Sequence, residues 1–200
     1  MTLRTMHRLK KKKRASEEDD DSKDETVKSV VRLRNCVFFH SEVTRATILN
    51  LIEELDAAEL HALTNGCTEV MLFIHSEGGD AYAGLSGMDH MSRFRIPIHT
   101  VADGFVASAA TFLLLGGTKR SCMPSCAVLI HQVSTGFWGK FNELKDEVAN
   151  TEQLMGILTS LYKRKTNMRK KQITSLLDKE LTLSAQDCID NGIVTGFYAP

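Results

Sequence analysis

The chain has 200 residues, 42% of them hydrophobic and 25% charged, a balance typical of soluble globular domains and unlike that of wholly disordered or fibrous chains. Lysine plus arginine and aspartate plus glutamate each number 25, so bulk charge selects no partner and nucleic acid is not expected as one. The densest apolar run, Phe112–Gly117, falls far short of the roughly 20 residues that cross a bilayer, so no membrane association is expected.

The first 28 residues differ from the rest. Met1–Arg14 is basic without an apolar segment behind it, which does not fit a secretory leader. Lys10–Arg14 is an unbroken basic run and Glu17–Asp21 an unbroken acidic one, and between Met6 and Val27 only Leu9 and Ala15 are hydrophobic. Such a segment cannot bury enough apolar surface to offset its ordering entropy. Residues 1–28 therefore read as a disordered, charged tail, and 29–200 as the folded domain. Lys10–Arg14 also fits a nucleic-acid or nuclear-import patch, but the acidic block beside it favours a solvated, self-neutralising tail. Five cysteines (Cys36, Cys67, Cys122, Cys126, Cys188) include no C-x-x-C pair. Free or buried thiols in a reducing compartment fit better than disulfides or zinc, so a cytoplasmic, viral or organellar-matrix location is expected.

From Ser29 onward strand-like and helix-like segments alternate. Ser29–Phe39 reads as a strand. Thr44–Ala62 carries Ile48, Leu51, Ile52, Leu55 and Leu60 at near-helical spacing. Glu69–His75 is a short apolar run ended by Glu77-Gly78-Gly79, a buried strand entering a tight turn. Tyr82–Arg93 reads as a helix, Pro97–Val101 as a strand, Ser108–Leu115 as a small-residue helix and Ala127–His131 as a strand. Phe141–Lys165 is the longest helical pattern, with Phe141, Leu144, Val148, Met155, Leu158 and Tyr162 along one face. Ser184–Asn191 begins with a capping serine and ends at Gly192. Strands separated by helices call for an α/β domain with a parallel sheet.

Three segments could carry chemistry. In Ile74-His75-Ser76-Glu77-Gly78-Gly79-Asp80, two glycines lie where a strand gives way to a helix, freeing the backbone to aim N–H groups at an anion; a plain strand-to-helix turn explains them equally. No Gly-Lys-Ser/Thr follows, so this is not a nucleotide-binding loop. In Gly104-Phe105-Val106-Ala107-Ser108-Ala109-Ala110-Thr111, a serine with little around it opens an apolar helix, where partial positive charge favours a developing anion; a capping or packing serine is the plainer reading. In Ala127-Val128-Leu129-Ile130-His131-Gln132, a buried strand empties into a histidine, at the edge where α/β folds place their sites; an edge histidine satisfied by the backbone is the alternative. No His-x-x-x-His spacing occurs and no metal is expected. Acyl transfer needs these parts together: a serine, an imidazole to take its proton, preorganised oxyanion donors and an orienting acid.

The sequence resembles the proteolytic subunit of the Clp (caseinolytic) protease, ClpP, over most of Val30–Gly196. The matching pieces are "IHSEGGD", "GFVASAATFLLLGG", "RSCMPSCAVLIHQ" and "LTLSAQDCIDNGIV", in the family's order. The resemblance implies the repeated β-β-α superhelical fold shared with crotonases, with a long protruding helix. It makes Ser108 the nucleophile and His131 the general base, with the backbone N–H groups of Gly78 and Ala109 as oxyanion hole. Gly79, the segment after it and the residues just past His131 would line the substrate groove. The family's acid lies shortly before the Leu-Ser-Ala element; Asp178 is the choice here, Glu180 the reserve and Asn167 a weaker candidate.

The resemblance further implies a serine endopeptidase acting on unfolded polypeptides through an acyl-enzyme, in a homo-oligomer of stacked heptameric rings. No cofactor is expected in this chain, and ATP would be used only by a partner unfoldase of the AAA+ class. The tail before Ser29 does not match the family's usual unfoldase-contacting loops. Alternatives are a catalytically impaired structural ring subunit, which the displaced acid suggests, and a viral capsid-maturation protease of the same fold. An acyl-CoA enzyme of the crotonase fold is disfavoured, because such enzymes need no nucleophilic serine.

Overall fold

In the computed structural model, residues 29–199 are described; the expected tail lies outside them. β-Branched and aromatic residues dominate the segment after Ser29, yet it does not run as one strand. Arg34 takes φ 59°, a left-handed conformation that turns the chain between β1 (Val30–Leu33) and β2 (Cys36–His40), which pair antiparallel. Thr44 then caps α1 (Arg45–Asn65), its hydroxyl accepting the Thr47 N–H. The apolar stripe of α1 is buried at Ile48, Leu51, Leu55, Ala58 and Ala62, while Leu60, expected on that face, is exposed.

β3 (Val70–Ser76), α2 (Ala81–Met91) and β4 (Ile98–Ala107) follow. β4 runs much further than its expected end at Val101, and it changes partner along its length. His99–Ala102 pairs with β5 (Lys119–Cys122) and Phe105–Ala107 pairs with β6 (Ala127–Leu129). α3 (Ala110–Gly116) follows β4 and packs against α2, β3 and β4. Residues Ala110–Leu115 of α3 are all buried, each large side chain contributing about 1.5–3 kcal/mol by leaving water.

The sheet runs β1-β2-β3-β4-β6-β7, with β5 beside the first half of β4. It is mixed rather than all-parallel, because hairpin β1/β2 and the terminal β7 (Thr182–Ser184) run antiparallel to their neighbours. α4 (Phe141–Lys165) spans the range its periodicity predicts. Its buried residues, Leu154, Leu158, Leu161 and Tyr162, all lie in its second half. In its first half Phe141 is 71% exposed, and Trp138 just before it is 98% exposed. α5 (Lys170–Leu177) and α6 (Ala185–Asp190) complete the described chain. All five cysteines are free thiols, with Cys122, Cys126 and Cys188 buried. Burial raises the thiol pKa of all three, Cys126 to about 12. No helix among the described residues is long and apolar enough to cross a membrane.

Candidate active site

Ser108 occupies the turn between β4 and α3 with φ 53°. A non-glycine residue rarely adopts such a value unless its surroundings impose it. Here they do: the Ser108 N–H donates to the Leu129 carbonyl at 2.9 Å, and its own carbonyl accepts the Thr111 N–H at 3.0 Å and the Thr111 hydroxyl at 2.6 Å. Thr111 Oγ1 lies in turn 2.7 Å from the Tyr162 hydroxyl of α4. Tyr162 is buried, which pushes its phenol well above the usual range and keeps it a neutral partner. The long helix is thereby tied to the backbone of Ser108.

The glycine turn after β3 closes on the same residue. A Cβ at Gly78, where φ is 97°, would lie 2.6 Å from Ser108 Cβ; one at Gly79, where φ is 141°, would lie 2.3 Å from the Val43 carbonyl oxygen. Only glycine fits either position. The two peptides point in different directions. The Gly78 N–H donates to Ser76 Oγ at 3.1 Å, so this expected oxyanion donor is already engaged. Val43 pairs with the Gly78 carbonyl and the Asp80 N–H, and strand alternation therefore turns the Gly79 N–H the other way. Among the described residues neither the Gly79 nor the Ala109 N–H has a hydrogen-bond partner. Gly79 also lines the cavity that holds Ser108, which Gly78 does not.

His131 lies two residues beyond β6, behind buried Ile130. Its Nδ1 is 3.0 Å from Glu180 Oε1, so a proton on Nδ1 is donated to the carboxylate and Nε2 is left to accept. The antiparallel register explains why Glu180 is there. β6 and β7 pair Ala127 with Ser184, Val128 with Leu183 and Leu129 with Thr182; extended two residues further, the same register sets position 180 opposite position 131. Asp178, the acid expected beside His131, is not brought to it; Glu180, the reserve, is. Asp178 caps the end of α5 and faces a surface hollow with Lys170, Lys171 and Lys179, without a hydrogen bond to His131. Asn167 is also elsewhere, packed on Gly192.

Ser108 and His131 face one cavity of about 640 Å³. Its floor is Phe112, Leu154, Leu158 and Tyr162, and Gly79 and Gln132–Thr135 border it. No direct hydrogen bond joins Ser108 to His131; catalytic contacts often tighten only when substrate binds. No group of three or more histidine, cysteine, aspartate or glutamate side chains among the described residues could hold a metal ion.

The sequence profile of the Clp protease family matches residues 18–199. The chain belongs to the Clp protease family. Its mixed α/β architecture is consistent with that assignment. Among curated Clp relatives, the ATP-dependent Clp protease proteolytic subunit of Ostreococcus tauri is 35% identical over 130 residues, 62% of this chain and 64% of that protein. The corresponding subunit of Deinococcus radiodurans is 27% identical over 128 residues, 63% of each chain. Proteolytic subunit 2 of Treponema denticola is 30% identical over 128 residues, 63% of this chain and 64% of that protein. The aligned region thus spans just under two thirds of each Clp relative's length.

Proposed function

We propose that this chain is a serine peptidase subunit that cleaves unfolded polypeptides through an acyl-enzyme. Ser108 attacks the peptide carbonyl while His131 Nε2 takes its proton, and Glu180 holds the imidazole in the tautomer this requires. The N–H groups of Gly79 and Ala109 receive the oxyanion of the tetrahedral intermediate. His131 then returns the proton to the leaving amine, and water hydrolyses the ester by the same route in reverse. The observation that carries this reading is a strained serine, two unpaired N–H groups and a His–Glu pair around one cavity. The chemistry needs no metal or organic cofactor.

The substrate binds as an extended strand along the backbone of Gly79 on one side and Gln132–Thr135 on the other, so main-chain hydrogen bonds dominate. The subunits assemble into rings. The exposed Trp138, Phe141 and Val148 support burial of the first half of α4 against another copy. The relatives' names describe ATP-dependent proteases. For this chain, which lacks a phosphate-binding Gly-Lys-Ser/Thr motif, ATP is used by a separate unfoldase. One observation favours the alternative of a non-catalytic ring subunit: Ser108 and His131 are not hydrogen-bonded. Hydrolysis of a fluorogenic peptide separates the two. The peptidase reading predicts turnover by the wild-type assembly and none by Ser108→Ala; equal rates for both, or turnover by neither, would reject it.

A further inference from the structure

We infer that His75 is a positioning residue for the nucleophile, acting through a bulge in β4; the inference rests on the peptidase reading above. β3 and β4 pair in step from Val70↔Ile98 to Ile74↔Ala102, and pairing resumes at Ser76↔Val106. β3 advances two residues across this interval and β4 advances four, so Asp103-Gly104-Phe105 is pushed out of the ladder. The bulge is where β4 leaves β5 and joins β6. Its last residue, Phe105, is three positions before Ser108, with only Val106 and Ala107 between them.

One side chain spans the bulge. His75 Nδ1 lies 2.9 Å from the Asp103 carbonyl oxygen and 3.2 Å from the Phe105 nitrogen. The contact is close enough to require glycine between them: a Cβ on Gly104, where φ is 78°, would lie 2.7 Å from the same Nδ1. A single nitrogen cannot serve both groups at once. Protonated, it donates to the Asp103 carbonyl; unprotonated, it accepts the Phe105 N–H. Either way the ring holds one end of the bulge.

Support comes from the neighbouring strand. His40, the register partner of His75, has its ring 5.4 Å away and its Nε2 3.7 Å from the Asp103 carboxylate. On its own strand His75 precedes Ser76, whose hydroxyl takes the Gly78 N–H, and Gly78 packs directly on Ser108. His75 thus stands where the two chain segments that converge on the nucleophile are set relative to each other. It is exposed and does not line the Ser108 cavity, so its effect passes through the backbone.

The test compares His75→Leu, which keeps bulk but loses both hydrogen bonds, with His75→Asn, whose amide supplies a donor and an acceptor. Two readouts are taken on the assembled full chain: hydrogen exchange of the Phe105–Ala109 amides, and kcat and KM for a fluorogenic peptide. His75→Leu is expected to speed exchange at Phe105 and lower kcat about tenfold with KM within about twofold, since small misplacements of a reacting group cost this much or more. His75→Asn is expected to restore most of both. Unchanged exchange and kcat in His75→Leu, or equal losses in the two variants with parallel falls in thermal stability, would overturn the inference. Wild-type protein that exchanges slowly but hydrolyses nothing would reject the peptidase reading. The exchange comparison would then still decide whether His75 holds the bulge.

Discussion

The two sides of the candidate site are built differently. On the nucleophile side, Ser108, Gly78 and Gly79 are held by backbone contacts so close that a single added carbon would collide, and the Ser108 carbonyl is linked through Thr111 to buried Tyr162. On the acid–base side, His131 and Glu180 lie at the unpaired end of a three-residue ladder, and the Glu180 side chain is 69% exposed. The contrast teaches that the serine and the two N–H groups proposed to receive an oxyanion are preformed by the packing of one chain. The His131–Glu180 pair depends on a surface interaction that water and salt weaken.

The largest effect expected is on the serine. Ser108→Ala should remove peptide hydrolysis by about 10⁶-fold in kcat, the scale at which removal of a triad serine acts elsewhere, while circular dichroism and thermal melting stay as in wild type. Next comes the preformed backbone. Gly79→Ala should cost about 3 kcal/mol of stability in denaturant unfolding, from the left-handed φ and the clash with the Val43 carbonyl together. It should also lower kcat by at least about 10²-fold through the displaced donor. Full stability in that variant would break the picture of an over-determined nucleophile side.

On the other side the effect should be smaller. Glu180→Gln is expected to reduce kcat roughly 10²-fold, well below the ~10⁴ of a buried triad acid, because its charge is largely solvated. Raising salt should narrow the gap between wild type and this variant. Smallest of all, Asp178→Asn should leave kcat within about twofold. A larger loss from Asp178→Asn than from Glu180→Gln would reverse the assignment of the acid.

Much of this arrangement was legible in the sequence where local pattern and packing agree. The periodicity of α4 marks its bounds, and the glycine pair and the small-residue serine turn stand at the element boundaries expected for them, while the strand expected to run to His131 stops two residues short of it, at Leu129. What escaped was set by pairing rather than by local pattern. β5 and β7 are four and three residues long, too short for alternation to declare them. Without β7 there is no register to bring Glu180 rather than Asp178 beside His131. The choice between Gly78 and Gly79 likewise turns on which peptide Val43 pairs with, a contact some 35 residues distant in sequence. The break in the first strand rests on the φ of Arg34, and its signal in the sequence is the single turn-favouring Asn35 beside it.

Whether Ser108 is an activated nucleophile is decided by intact-mass analysis after incubation with a fluorophosphonate. One adduct per subunit is expected on the wild-type assembly and none on Ser108→Ala. No adduct on properly assembled wild-type protein, or an equal adduct on the Ser108→Ala variant, would contradict it.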